Sequence, residues 1–225
     1  MKPLSALLLV CFILISGSCK KDPEDIILGD ESGVFTDARD GHVYGYVQIG
    51  DQVWMSENLA YLPNVNTPAT ANERYFVYDY LGTSVSEAKA TDNYKTYGVL
   101  YSYFAARYGC CPDGWHLPTE DECNIMFNLL GSAAASQLKA TTGWAEETNA
   151  LNTTGFSATP AGYYDGIEYN GLAYITTYWI YDYDCLYGIP NWRLVSGVDY
   201  AYQSLDPRYV ANSVGYTVRC IRDDQ

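Results

Sequence analysis

One segment restricts the fold class more than any other. Thr119 follows Pro118 and precedes Glu122 by three residues; Ile125, Met126, Leu129 and Leu130 then recur at helical spacing before Gly131. A Thr hydroxyl that accepts from the third backbone N–H, with a Glu reaching back to the cap, marks a helix start, and the glycine suits its end. A second helical piece, 132–140, follows. Elsewhere turn residues interrupt the chain so often that only short strands fit. Residues 42–49 (HVYGYVQI) alternate, with Val43, Val47 and Ile49 on one side and Tyr44, Tyr46 and Gln48 on the other, which predicts a half-buried strand. Gly50-Asp51 is a turn pair, and 52–55 begins the return strand of a hairpin. Residues 62–74 and 82–96 read as loops, and 97–107 as a short strand or turn running into a helical turn. Residues 155–221 read as short strands and turns, ending in an alternating strand at 216–221. With helices in the middle and strands at both ends, the expected class is α+β. There is no internal repeat.

The N-terminus predicts export. Lys2 precedes an unbroken apolar run from Ala6 to Ile15, the length of a signal-peptide core and too short to span a bilayer. Ser16, Gly17 and Ser18 then lead to Cys19, as a lipoprotein signal peptidase requires, although the place three before the cysteine holds Ser16 rather than Leu. The expected organisation is a signal peptide over 1–18, a lipidated Cys19 with a flexible acidic tether over 19–32, and one domain over 33–225. Several acyl chains on Cys19 would hold the protein on a membrane, and the anchor is the only membrane contact expected. Acidic residues soon after the cysteine (Asp22, Glu24, Asp25) resemble the surface-export tag of Bacteroidetes lipoproteins, with Lys20 and Lys21 intervening. The expected location is the outer membrane, at the cell surface.

The formal charge is −14, and becomes −15 once 1–18, with its single basic residue, is removed. That argues against nucleic-acid partners, since phosphate binding needs clustered Lys and Arg. Five cysteines remain after Cys11 and Cys19: Cys110, Cys111, Cys123, Cys185 and Cys220. An oxidising compartment favours one or two disulfides, and an odd count leaves at least one thiol unpaired within the chain. No spacing is CxxC, and the histidines are His42 and His116 alone, so no zinc site of usual ligand type is expected.

Six motifs stand in order: DGHVYGYVQIGDQVWMSENLAY (40–61), YGVLYSYFAA (97–106), CPDGWHLPTEDE (111–122), TGWA (142–145), TGFSATPAGYYDG (154–166) and GYTVRCIRD (215–223). Together they resemble the Fibrobacter succinogenes major paralogous domain, a family of surface lipoproteins, from about 33 to 224. The resemblance implies a C-type lectin-like fold akin to formylglycine-generating enzymes and phage receptor-binding proteins: a mixed, twisted sheet with two helices and long irregular loops. It also implies that Cys110 or Cys111 bonds Cys220, with Cys111 favoured because it opens its motif. A second bridge, Cys123–Cys185 or Cys110–Cys185, is left open. The enzyme relatives use a redox-active cysteine pair near the C-terminus, but Cys185 and Cys220 stand 35 residues apart here, so that chemistry is not expected. The lectin branch binds sugar through calcium at Glu-Pro-Asn or Gln-Pro-Asp; this chain has Ile189-Pro190-Asn191. No cofactor is expected, calcium at Asp182 and Asp184 being the one candidate.

Trp54, Trp115, Trp144 and Phe156 read as core aromatics, His116 as a structural histidine without an obvious partner, and Glu57 as a buried hydrogen-bonding anchor. No GxSxG, HExxH or phosphate-cradling glycine loop is present, so no enzyme activity is expected. Tyrosine is abundant, 23 residues against 6 Phe, and it concentrates in 163–209. There Tyr163, Tyr164, Tyr169, Tyr174, Tyr178, Tyr181, Tyr183, Tyr187, Tyr200, Tyr202 and Tyr209, with Trp179 and Trp192, are interleaved with Asp, Asn, Ser and Gly. Tyrosine gives large contact area, a polar tip and little entropy loss, which suits a binding face. The expected function is a non-enzymatic surface module for a glycan or protein, contacted through Tyr164, Tyr169, Tyr178, Trp179, Tyr181, Tyr183, Tyr187, Trp192, Tyr200 and Tyr202. The alternative is a structural or adhesion subunit of a surface assembly.

Overall fold

The computed structural model describes residues 28–66, 71–145, 149–207 and 210–223. The expected signal peptide over 1–18, the expected lipidation site Cys19, residues 20–27 of the expected tether and Tyr209 lie outside them. The fold is mixed, mostly sheet with few helices. A first, antiparallel sheet has the order β1 (Leu28–Thr36), β2 (Val43–Ile49), β3 (Gln52–Met55), β12 (Ile221–Arg222), β6 (Trp115–His116). A second has the order β11 (Tyr202–Asp206), β10 (Ile189–Val195), β9 (Ile175–Trp179), β7 (Ala161–Tyr164), β8 (Tyr169–Leu172), with β7 and β9 parallel. A third pairs β4 (Tyr75–Phe76) with β5 (Leu100–Tyr101). The helices are α1 (Val85–Ala90), α2 (Asp92–Tyr97), α3 (Tyr103–Arg107), α4 (Glu120–Leu130) and α5 (Ala134–Leu138).

The C-terminal segment joins all three sheets. Gly215 exchanges backbone hydrogen bonds with Tyr164, and Tyr216 with Tyr101. Thr217 N donates to Thr177 O and Thr217 O accepts from Trp179 N; Val218 O then accepts from Leu59 N and Cys220 O from Met55 N. Along this segment and β3 the two-residue period of extended chain sends alternate side chains into two cores. Met55, Val218 and Cys220 enter one with Tyr44, Tyr101 and Trp179; Trp54 and Ile221 enter the other with Met126, Phe156 and Trp192. Arg219 lies between them, 1% exposed. A disulfide joins Cys111 to Cys220, while Cys110, Cys123 and Cys185 are free and buried, so neither second bridge forms.

Several expectations need correction. Residues 28–32 are not tether: they begin β1, where Ser32 faces Val47 and Glu31 meets Arg222 at 2.5 Å. The strand at 43–49 is covered on both faces, because Tyr44 is fully buried in one core and Ile49 in the other, whereas Val43 is 52% exposed. The segment 82–96 holds two helices, capped by Ser84, which accepts from Glu87 N, and Thr91, which accepts from Tyr94 N. Ser84 followed by Glu87 three residues on is itself a helix-start signature. The capping box of α4 is present, but its buried stripe is Cys123, Met126 and Leu130, with Ile125 exposed. The final strand pairs as a ladder only at Ile221–Arg222, because 215–219 bonds to partners in different sheets. Among the described residues no helix is long and apolar enough to cross a membrane, and no three His, Cys, Asp or Glu side chains group to hold a metal.

Candidate functional site

Residue chemistry and backbone geometry converge on a groove of about 580 Å³ between β4, the loop after it and the β7–β8 hairpin. Asn66, Arg74, Phe76, Tyr78, Asp79, Leu81, Tyr164, Ile167, Glu168 and Tyr169 line it. Four rings run in series along its wall. Phe76 and Tyr164 have centroids 4.5 Å apart, Tyr164 and Tyr169 5.0 Å, Tyr169 and Tyr78 5.2 Å. Successive rings tilt by 33°, 47° and 46°, so the wall is faceted rather than flat. Phe76 is the buried end of the row and the three tyrosines are half-buried.

Local chemistry holds these rings in place. In the β7–β8 turn, Asp165 Oδ1 accepts from Ile167 N and Glu168 N, and its Oδ2 accepts from Asn170 Nδ2. The Glu168 backbone hydrogen bond leads the contacts that hold the Asp165 carboxyl below its ordinary pKa. The turn leaves Ile167 88% exposed at the groove rim, opposite Leu81 at 83%. At Gly162 (φ +67°) an added Cβ would stand 2.5 Å from Asn170 O and 2.6 Å from the Tyr78 ring, so the close packing of Tyr78 on this hairpin requires glycine. On the opposite wall Asn66 donates from Nδ2 to Tyr80 O and Gly82 O, both at 2.8 Å, and Tyr169 donates its hydroxyl to Tyr80 O. Asn66 (φ +50°) and Asp79 (φ +59°) are both left-handed, a conformation that Asn and Asp adopt more readily than other non-glycine residues. Burial pushes the Tyr78 and Tyr169 hydroxyls above the usual tyrosine pKa, and the nearby Asp79 charge adds to both shifts. Arg74 lies over the Phe76 ring, 4.8 Å from its centroid, and donates to Asn212 O.

The Fibrobacter succinogenes major domain model matches residues 47–222, more than half of the chain and the whole of this groove. The chain belongs to that family. No curated protein and no solved structure matches it.

In this member of the Fibrobacter succinogenes major domain family, the ten tyrosines and tryptophans predicted as one face are divided. Tyr164 and Tyr169 stand in the groove. Tyr178, Trp179 and Trp192 do not contact solvent: they are 1%, 0% and 0% exposed, and their assignment to a ligand face is corrected to core. Tyr178 stacks on Trp192 at 4.3 Å and donates to Asn58 Oδ1, and Trp179 Nε1 donates to Tyr101 O at 2.7 Å. The physical reason is position: β9 and β10 are inner strands of the second sheet, covered on both faces. Tyr181 is half-buried in a smaller cleft of about 290 Å³ with Arg107, Trp115 and His116. Tyr183 and Tyr187 are exposed on the β9–β10 connection, while Tyr200 and Tyr202 pair through their hydroxyls at 2.8 Å. Asn191 is buried and engaged by Asp206, Arg193 and Ser204, so the Ile-Pro-Asn triplet faces the interior.

Sequence reasoning missed the groove's other half. Arg74, Phe76, Tyr78, Asp79 and Leu81 belong to RYFVYDYL (74–81), whose tyrosine–aspartate composition matches that of 163–209. His116 has two carboxylate partners, Glu122 at 2.8 Å through Nε2 and Asp223 at 2.6 Å through Nδ1. The Glu122 hydrogen bond, aided by Asp223, raises its pKa to about 8. With both ring nitrogens engaged, the imidazole is a clamp between α4 and the C-terminus. Glu57 is half-exposed rather than buried and bonds Gly45 N and His42; the buried anchor of its motif is Asn58. Trp54 and Phe156 are core aromatics, while Trp115 and Trp144 are half-buried.

Proposed function

We propose that the protein is a non-enzymatic cell-surface binding module, anchored through lipid on Cys19, which holds a glycan in the groove formed by Tyr78, Tyr164 and Tyr169. The observation that carries this reading is the run of tilted tyrosine faces along an open groove of about 580 Å³. Partly exposed aromatic faces with polar tips suit sugar rings, which present apolar C–H faces and hydroxyl edges. Asn66, Asp79 and Glu168 supply acceptors for hydroxyls at the same place. The predominance of sheet over helix, the capped central helix and the irregular C-terminal half agree with a C-type lectin-like domain. The surface location rests on the N-terminal leader and the family.

The test is a glycan array probed with the purified protein, with calcium and again with EDTA. A specific hit that is lost in Tyr169→Ala and retained in Tyr183→Ala supports the reading and locates the face. An array blank under both conditions refutes it. A second reading, an adhesion subunit, is favoured by the exposed tip where Tyr183, Leu186 and Tyr187 are 75%, 66% and 92% exposed. It predicts self-association at high protein concentration that Tyr187→Ser with Leu186→Ser abolishes.

A further inference from the structure

Several carboxylates of this acidic domain are internally matched. Asp37 holds Arg39, Asp40 holds Lys89, Glu31 holds Arg222, and Glu122 and Asp223 share His116. Asp79 and Glu168, which line the groove, have no ion pair and no side-chain hydrogen bond among the described residues, as is also true of Asp51, Asp113 and Glu120 elsewhere on the surface. Asp79 stands on the lip of the ring series, in a left-handed conformation that Asp adopts readily. Among the described residues lining the groove the one cation is Arg74, which lies over Phe76 and is bonded to Asn212 O. The groove therefore offers tyrosine faces beside unmatched negative charge.

Resting on the glycan reading of this groove, we infer that its ligand is a polysaccharide of pyranoses carrying free amines, with the ammonium groups placed between the tyrosine faces and the Asp79 and Glu168 carboxylates. A neutral sugar uses the rings and donates its hydroxyls to the two carboxylates, but it leaves their charge uncompensated. An anionic sugar is repelled by them and by a chain of net charge −14. An ammonium is attracted by the carboxylates and by the negative faces of the rings together. A polymer fits better than a single lysine side chain because the facets repeat: Tyr78, Tyr169 and Tyr164 follow one another at 5.2 and 5.0 Å, and one ammonium would use only one of them.

The test compares two probes by calorimetric titration of the purified protein: the β-1,4-linked hexamer of glucosamine and its fully N-acetylated counterpart. Exposed cation–π and ion-pair contacts together favour the free amine by roughly tenfold in Kd. This preference should fall toward one in 0.5 M salt and in the Asp79→Asn/Glu168→Gln variant, in which the free-amine hexamer loses more affinity than the acetylated one. Asn tolerates the left-handed backbone at position 79, so the fold is preserved. Tyr169→Ala should lose both ligands. Equal or tighter binding of the acetylated hexamer overturns the amine inference and leaves the glycan reading standing. Binding of neither hexamer, with glycan-array hits of other classes, also overturns the inference alone; a blank array overturns both. Preference for a lysine peptide over both hexamers would assign the groove to a protein ligand and refute the inference.

Discussion

Arg219 is the sharpest test of how the two cores are joined. Its guanidinium, 1% exposed, donates to Asn58 Oδ1 at 2.9 Å, to Met55 O and Ser157 O at 3.1 Å, and to Phe156 O. All four acceptors are neutral, and the Phe156 ring lies 4.4 Å from the guanidinium carbon. Burial lowers the guanidinium pKa, so the ion is held by hydrogen bonds against its desolvation. Arg219→Met keeps most of the volume and removes every donor. Asn58 Oδ1 retains the Tyr178 hydroxyl, which leaves three backbone carbonyls short of a partner at about 1–3 kcal/mol each. Relief of the buried charge offsets part of that loss, giving a net destabilisation of about 3 kcal/mol. Urea unfolding followed by tryptophan fluorescence should show a lower midpoint at unchanged slope. Arg219→Lys, with one donor group on a shorter stem, should lose roughly 2 kcal/mol. A loss below about 1 kcal/mol for Arg219→Met would show that these carbonyls do not depend on the guanidinium, and the argument would fail.

Other perturbations give equally definite expectations. Replacing Cys111 and Cys220 together by Ala opens a loop of sequence separation 109 and should lower stability by about 4.7 kcal/mol in the loop-entropy treatment, measured by denaturant midpoint; no change would mean that the bridge does not constrain the unfolded chain. The His116 clamp raises the folded-state pKa from 6.5 to about 8, so its stabilisation is complete below the unfolded value and is lost as pH climbs through about 8. Thermal midpoints should therefore fall between pH 6.5 and 8.5, and His116→Gln should flatten that slope. Gly162→Ala forces a Cβ against Asn170 O in a left-handed position and should destabilise by about 2–3 kcal/mol; an unchanged melting temperature would show that the hairpin can relax.

Local signals were legible in the sequence and long-range ones were not. The capping box at Thr119 and the hairpin turn at Gly50-Asp51 depend on neighbours a few residues apart, and the structure has them; of the fold class, the mixture of helix and sheet is present, with sheet predominant. The Cys111–Cys220 pairing came through family resemblance, which encodes tertiary contact without deriving it. The burial of Tyr178, Trp179 and Trp192 could not be read from composition, because a tyrosine-rich inner strand and a tyrosine-rich binding loop look alike until sheet order is known. The groove was half visible for the same reason: Tyr164 and Tyr169 lie about ninety residues after Phe76 and Tyr78 in the chain, and only the fold brings the two runs side by side. Of the two partners of His116, Asp223 is 107 residues away and illegible, whereas Glu122 is only six residues on, where its part in the capping box hides its second role.

The place of β12 bears on how the molecule is made. Its two residues stand between β3 and β6, so the interior rung of the first sheet is contributed by the last described part of the chain. A nascent chain halted before residue 215 lacks that rung, the Cys220 thiol and every bond by which 215–220 joins the three sheets. Its earlier strands would have to wait, with their apolar faces open, for the terminus to arrive. Contacts so distant in sequence slow the search for the native state and lengthen exposure to aggregation. This architecture suits a chain released whole before it folds better than one that folds as it emerges.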